Sequence, residues 1–222
     1  GLFLMCAFGI FTGNGDFVVT ALSIFVIALI IAMVYHLFKG SNCYRRNLSD
    51  AEYLNALSQK GVTCKGMLLG KMFWTWIVCV ITITEYVLFI AFVLFLSKNN
   101  YPDDTLINDL RKLFSEAIGE FGTGTIILVY FELVLLMLGL TALVYLAFGL
   151  CYRYFIRGKY GFVASLMTAF SMFWVFWKIA GFAIPASGIG SYIGSMIFGV
   201  LLGIICTFIH LWVTDKEEKK KL

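Results

Sequence analysis

Charged residues are scarce in this chain, and so is proline. Of its 222 residues, 14% are charged and 2 are proline, whereas 61% are hydrophobic and the mean hydropathy is +0.91. Soluble domains carry roughly 25% charged and 45–50% apolar residues. The composition therefore excludes an ordinary soluble protein and predicts an integral membrane protein.

The chain also lacks the motifs that mark many enzymes and metal sites. Its 6 cysteines include no CxxC pair, so neither a disulfide framework nor a zinc knuckle is expected. There is no GxxxxGKS/T, HExxH or GxSxG sequence, the common signatures of nucleotide sites, zinc proteases and serine hydrolases. The net charge of +4 comes without interleaved basic and aromatic residues, and nucleic acid is not an expected partner. We expect a chain that is not an enzyme and binds no metal or cofactor itself.

Five apolar runs are long enough to cross a membrane, which takes about 20 helical residues. Residues 1–11 add a partial run, which we interpret as the end of a first helix whose start this sequence lacks. Together they predict an all-α fold, a polytopic bundle of six transmembrane helices within one membrane domain, residues 1–222. The five complete runs are 17–38, 73–96, 125–150, 163–184 and 191–213.

Basic residues are distributed unevenly between the connecting segments. Most of the 17 lie in segments 39–71 and 151–162 and in the tail from Lys216. Short connections rich in Lys and Arg stay on the cytoplasmic side of a membrane. We therefore expect both termini in the cytoplasm.

The connection on the opposite side, 97–124, carries apolar residues at helical spacing and charged residues on the other face. This pattern predicts a short amphipathic helix on the outer membrane surface, starting at Asp103 or Asp104 and ending at Gly122. A helix folded over the ends of the bundle would show the same pattern.

Three ionisable residues fall within the predicted spans: Glu85, Glu132 and Lys178. Each costs on the order of 2.5–3.5 kcal/mol near the centre of a membrane helix, so each should face protein or water. Glu132 and Lys178 lie about 10 and 9 Å below the outer surface at 1.5 Å per residue. Two interpretations stay open: a polar substrate path containing all three residues, or a structural Glu132–Lys178 pair with Glu85 hydrogen-bonded to a neighbouring helix.

Small residues recur every four positions in the last span, at Ser191, Ser195, Gly199 and Gly203. Small side chains let helix backbones approach closely, so this stripe predicts a packing face. We favour packing within the chain over packing against a second copy.

The two histidines, His36 and His210, fall near the cytoplasmic ends of their spans. A metal site would need further ligands beside them. We interpret both as solvated residues at the membrane interface.

The stretch YRRNLSDAEYLNALSQKG, residues 44–61, is polar and lies between two apolar runs. Acidic residues at 50 and 52 favour a helix start, Gly61 favours its end, and the leucines at 48, 54 and 57 lie with Tyr53 on or near one side. A short amphipathic helix of this kind suits docking into a groove of a partner protein. A connector lying on the membrane surface would show the same pattern.

The longer stretch CYRRNLSDAEYLNALSQKGVTCKGMLLGKMFWTW resembles the first cytoplasmic loop of bacterial ABC-2-type ABC transporter permeases. In that family an aromatic-basic-Asn-Leu run, an acidic pair and Tyr-Leu precede a Leu-Leu-small-Lys entry into the next helix. The sequence departs from the family around this Tyr-Leu: relatives commonly carry Gly before the Tyr and Thr-Leu-Pro after it, whereas here Glu52 and ALSQ occupy those places. The matching residues are Asn47, Leu48, Asp50, Tyr53, Leu54, Leu68, Leu69 and Lys71.

The resemblance implies a membrane-spanning permease subunit of an exporter in the bacterial plasma membrane. It implies two partners besides membrane lipid: a second permease chain and an ABC ATPase subunit, which carries the ATP and Mg²⁺. In the family this loop is the coupling helix that sits on the ATPase. The residues so implicated here are Arg45, Arg46, Asn47, Leu48, Asp50, Glu52, Tyr53 and Leu54.

A different class of function stays open beside the permease. The alternative is a polytopic membrane enzyme, or a membrane-bound immunity or sensor protein. An enzyme would need a catalytic cluster, and the candidates Glu85, Glu132, His36 and His210 are scattered along the chain.

Overall fold

The computed structural model describes residues 15–100, 123–152, 160–184 and 189–221. These residues are almost entirely helical and contain no strand, so the predicted all-α fold is confirmed for them. Their helices are α1 (Gly15–Ser49), α2 (Ala51–Gln59), α3 (Cys64–Asn100), α4 (Thr123–Leu150), α5 (Gly161–Ala183) and α6 (Ile189–Lys221).

Five of these helices contain a segment long and apolar enough to cross a membrane, and they indicate a multi-pass membrane protein. The partial span predicted at 1–11 and the outer helix predicted between Asp103 and Gly122 lie outside the described residues. The five segments are Ser23–Leu48, Cys64–Phe89, Ile127–Leu150, Gly161–Phe182 and Ile189–Thr214.

Helix α1 runs well beyond the end of the apolar run at Phe38, as far as Ser49. The reason is packing: Leu37, Ser41 and Tyr44 are buried, and their spacing places them on one helical face. Helix α3 shows the same spacing at its start, where Leu68, Met72, Thr75 and Cys79 are buried. Both helices therefore extend through the segment that the hydropathy pattern assigns to a connection.

The short helix α2 is capped at both ends. Asp50 is its N-cap and accepts a hydrogen bond from the backbone N–H of Tyr53 at 3.0 Å. At the other end Gly61 has φ +73°, and the N–H groups of Gly61 and Val62 donate to the carbonyls of Ser58 and Leu57. This pair of bonds is a Schellman motif, which ends the helix at a glycine in the left-handed region.

The chain divides into two compact units. The first contains the described residues 15–34, 80–100 and 123–129; in it the ring of Phe25 stacks on Tyr86, with centroids 4.8 Å apart, and contacts Phe89 at 4.1 Å. The second contains residues 35–79 and the described residues from 130 onward.

The second unit has its core around the C-terminal half of α4, where residues 141–149 are all buried. Helices α1, α3 and α6 contribute Tyr44, Leu68 and Cys206 to this core. Helix α5 presents Ser165 and Ala169 as a buried face, followed along the same face by the half-buried Met172 and Phe176. The core lies close to helix α2, and we call this end of the second unit the α2 end.

Candidate partner-coupling site

A buried network of hydrogen bonds crosses the second unit near the α2 end. The hydroxyl of Tyr145 donates to the backbone oxygen of Lys71 at 3.1 Å, so Thr75 Oγ1, 2.8 Å away, donates to Tyr145. Gly40 makes the close approach of α1 possible, because a Cβ at this position would overlap both hydroxyl oxygens. Tyr145 of α4 is thus hydrogen-bonded to α3 at a point where α1 packs closely against both helices.

The ring of Tyr145 also contacts Tyr44, with centroids 5.7 Å apart, and Tyr44 connects onward to α6. Tyr44 Oη and His210 Nε2 are hydrogen-bonded at 3.1 Å, and the two rings meet edge to face. Gly149 of α4 lies so close to the imidazole that a Cβ there would overlap it. We call the set of Lys71, Thr75, Tyr145, Tyr44 and His210 the buried network.

His210 therefore differs from the solvated histidine that the sequence predicts. It is 2% exposed, because it lies one helical turn before Thr214 on the face of α6 that packs against α4, and Thr214 Oγ1 donates to its carbonyl. His36 is half-buried, beside the ring of Tyr35.

A second network ties α2 to α1 and α3. The side-chain amide of Asn47 is oriented so that both its polar atoms have hydrogen-bond partners. Its nitrogen donates to the carbonyl of Cys43 at 3.1 Å, and its oxygen accepts from Lys71 Nζ at 2.8 Å and from Tyr53 Oη at 3.2 Å. Lys71 Nζ also lies 3.3 Å from Cys43 Sγ and 6.0 Å from the centre of the Tyr53 ring. We call Cys43, Asn47, Tyr53 and Lys71 the corner network.

Lys71 belongs to both networks. Its ammonium group bonds in the corner network, while its backbone oxygen accepts from Tyr145 in the buried network. A continuous series of contacts therefore runs from Tyr53 on α2 to His210 on α6.

Helix α2 has two different faces. Leu54 and Leu57 pack against the core, whereas Glu52, Asn55, Ala56 and Gln59 are exposed. Asn55 and Ala56 are adjacent, and each lies three or four residues from both Glu52 and Gln59, a spacing that places all four side chains on one face of a helix. We call these four residues the α2 stripe.

The residues that the family resemblance implicates have different positions in this structure. Asn47 and Tyr53 hold the corner network, Asp50 caps α2, and Leu48 and Leu54 pack against the core. Arg45 Nε donates to Asn42 Oδ1 at 3.1 Å, whereas Arg46 and Glu52 are exposed. The last two line a surface pocket of about 540 Å³ with Cys43, Asn47, Asp50 and Ala51.

The three ionisable residues of the spans are divided between the two units. Glu85 lies in the first unit with an exposed side chain, and Glu132 is half-buried on α4 of the second. Lys178 is exposed, and its ammonium lies 5.8 Å from the centre of the Trp174 ring. Among the described residues no ion pair joins Glu132 to Lys178, because Lys178 lies on the face of α5 opposite Ala169, Met172 and Phe176, which pack on the core.

The stripe of small residues on α6 meets α4 at its two glycines. A Cβ on Gly199 would come within 2.6 Å of the carbonyl oxygen of Leu135, and one on Gly139 within 2.6 Å of that of Gly199. Gly203 lies beside Gly139 at a wider spacing, and Ser191 and Ser195 are half-buried.

Sequence reasoning missed most of the buried network. Thr75 and Tyr145 fall inside apolar runs, where a single polar group does not stand out, and Tyr44 begins the polar stretch 44–61. One signal was present: the spacing of Leu37, Ser41, Tyr44 and Leu48 continues the helical pattern of α1 past its apolar run.

The described residues contain no group of three His, Cys, Asp or Glu side chains placed to hold a metal ion. No protein-family model, curated protein or solved structure matches the chain.

Proposed function

We propose that the chain is the membrane-spanning permease subunit of a bacterial ABC exporter of the ABC-2 type. In this proposal the α2 end faces the cytoplasm, both termini lie on that side, and the helices cross the plasma membrane. ATP and Mg²⁺ bind to a separate ATPase subunit. Two permease chains work with two ATPase subunits, and ATP hydrolysis drives substrate across the membrane.

The observation that carries the proposal is the anchoring of α2 on one face and its exposure on the other. Two capping motifs fix its ends, Leu54 and Leu57 attach it to the core, and Tyr53 attaches it to Asn47. A helix this short is marginal on its own in water, so its attachment stabilises it as a rigid element. The exposed α2 stripe is then available to a partner.

The networks behind α2 supply a route for a mechanical signal. A push on α2 reaches Asn47 and Lys71 directly, and through the backbone of Lys71 it reaches Tyr145, Tyr44 and His210. Packed side chains and hydrogen bonds of this kind can carry energetic coupling between distant sites when the elements have two arrangements. We propose that ATPase closure selects between two such arrangements of α1, α3, α4 and α6.

The pocket beside α2 gives the partner a place to insert a side chain. It contains carboxylates from Asp50 and Glu52 and the guanidinium of Arg46. A partner side chain that donates hydrogen bonds fits this lining, since carboxylates accept them strongly. The pocket adjoins the α2 stripe at Glu52, so one protein surface can contact both.

The experiment is co-purification from the native membrane with two matched variants. Ala56→Arg adds a long charged side chain in the middle of the α2 stripe, and Ser58→Arg adds the same side chain at an exposed position of α2 outside the stripe. We expect the wild-type chain and Ser58→Arg to co-purify with a protein that binds and hydrolyses ATP. Ala56→Arg should lose that protein while its thermal stability in detergent stays unchanged.

Two results would contradict the proposal. One is the absence of any ATP-hydrolysing protein from the wild-type preparation. The other is equal recovery of the ATPase with Ala56→Arg and Ser58→Arg, because the α2 stripe would then not be the contact surface.

A further inference from the structure

Lys39 is an exposed lysine at the end of a membrane span. It directly follows the apolar run 17–38 of α1, and its ammonium lies 5.1 Å from the centre of the Tyr35 ring, which is 55% exposed. In a helix each Cα–Cβ bond is tilted toward the N-terminus, and on α1 this direction leads back into the span. The ammonium is therefore folded back toward the membrane, beside a ring one turn earlier in the helix. Attraction between an ammonium and an aromatic face stabilises this arrangement.

Tyr35 lies at the depth where the hydrocarbon core of a bilayer meets the lipid headgroups. The run 17–38 is about 33 Å long at 1.5 Å per residue, close to the hydrocarbon thickness of about 30 Å. The last turn of the run, which contains Tyr35, thus reaches the boundary with water, where tyrosine is common in membrane helices. A lysine folded back onto this ring holds its charge at the level of the headgroups, whose phosphates carry the negative charge of a bilayer.

The charge around this pair is positive. From Tyr35 to the end of α1 the sequence contains three basic residues and no acidic one. The nearest carboxylates along the chain belong to α2, and they line the pocket beside it together with Arg46, whereas Lys39 is not part of that lining. Lys39 and Tyr35 thus present an ammonium and a phenol hydroxyl together on an exposed face of α1. An anion that accepts hydrogen bonds fits these two groups.

We propose that Lys39 and Tyr35 bind the phosphate of an anionic phospholipid of the membrane. The ammonium of Lys39 pairs with a phosphate oxygen, and the hydroxyl of Tyr35 donates a second hydrogen bond, while the acyl chains stay in the surrounding bilayer. A headgroup without a positive charge is preferred, because a choline group brings a second cation close to Lys39. The site requires only that α1 crosses a membrane, so it is independent of the ATPase in the proposed function.

The test uses the purified chain in nanodiscs with equal amounts of anionic phosphatidylglycerol and zwitterionic phosphatidylcholine. Native mass spectrometry counts the lipids of each class that stay bound when the chain is released. We expect the wild type to retain phosphatidylglycerol about fivefold over phosphatidylcholine and Lys39→Gln to retain both almost equally, since one basic residue near an anionic surface has an effect of this size. Tyr35→Phe should lower the preference about twofold through loss of one hydrogen bond. Lys39→Arg keeps the charge and should keep the preference.

Lys60→Gln is the matched control, because it removes the same charge from an exposed position at the end of α2, and the lipid preference should stay at the wild-type value. Because Lys39 is exposed, Lys39→Gln should melt in detergent at the wild-type temperature. Three results would overturn the inference. The first is a wild type without lipid preference, and the second is an equal loss in Lys39→Gln and Lys60→Gln, which would assign the preference to the overall positive charge. The third is release of phosphatidylglycerol by excess inorganic phosphate, which would assign the site to a soluble anion.

Discussion

Tyr44 Oη lies 3.1 Å from His210 Nε2 and joins helix α1 to helix α6 in the interior of the second unit. Both residues are almost completely buried, so water does not replace this bond when it is lost. We expect Tyr44→Phe to lower the stability of the protein by about 0.6–1.5 kcal/mol. The measurement is thermal unfolding in detergent, with the exposed Tyr35→Phe as the control. Equal melting temperatures for the two variants would contradict a stabilising role for the bond.

Helices α4 and α6 approach each other most closely at Gly139 and Gly199, where each glycine faces the backbone of the other helix. Gly199→Ala should destabilise the protein by about 1–3 kcal/mol, because the added methyl group forces the backbones apart. Gly181→Ala is the matched control, since nothing lies within 4 Å of a Cβ at that position. Thermal unfolding should separate the two, and a Gly199→Ala variant as stable as Gly181→Ala would contradict close packing.

Asn47 connects α2 to α3 through Tyr53 and Lys71. Asn47→Ala removes these bonds, and we expect amide hydrogen exchange in residues 51–59 to become about five- to tenfold faster. Asn42→Ala is the control. The hydrogen bond described for the Asn42 side chain is with Arg45, on the same helix, and not with α2. If Asn47→Ala leaves the exchange rates of residues 51–59 unchanged, the corner network does not hold the helix in place.

The ends of α2 could be predicted from sequence because the signals are local. An acidic residue before the helix and a glycine after it act within one turn of the backbone, so Asp50 and Gly61 are readable without knowing the rest of the fold. The helical spans were predictable for a similar reason, since apolar length alone distinguishes them. The end of α1 and the start of α3 were not, because both helices continue through polar sequence, where their buried residues pack in the core of the second unit.

The buried network could not be predicted, because it depends on contacts between residues far apart in the chain. Nothing in the sequence near Tyr145 indicates that its hydroxyl meets Thr75, or that His210 is enclosed by Tyr44 and Gly149. The depths of Glu132 and Lys178 could be counted along their helices. The face on which Lys178 lies could not, because every residue around it is apolar and the pattern has no polar side.

Gly61 is the residue on which the shape of the α2 turn depends most directly. Its φ of +73° is unfavourable for residues with a Cβ, whereas nothing lies within 4 Å of a Cβ there, so the effect of a substitution is conformational and not steric. We expect Gly61→Ala to destabilise the turn by about 1–2 kcal/mol and Gly61→Asn by less, because asparagine enters the left-handed region more readily. Hydrogen exchange at the C-terminal end of α2 should therefore be slowest in the wild type, faster in Gly61→Asn and fastest in Gly61→Ala. Gly70→Ala, in an open helical position, should leave that exchange unchanged, and equal behaviour of Gly61→Ala and Gly70→Ala would contradict the Schellman turn.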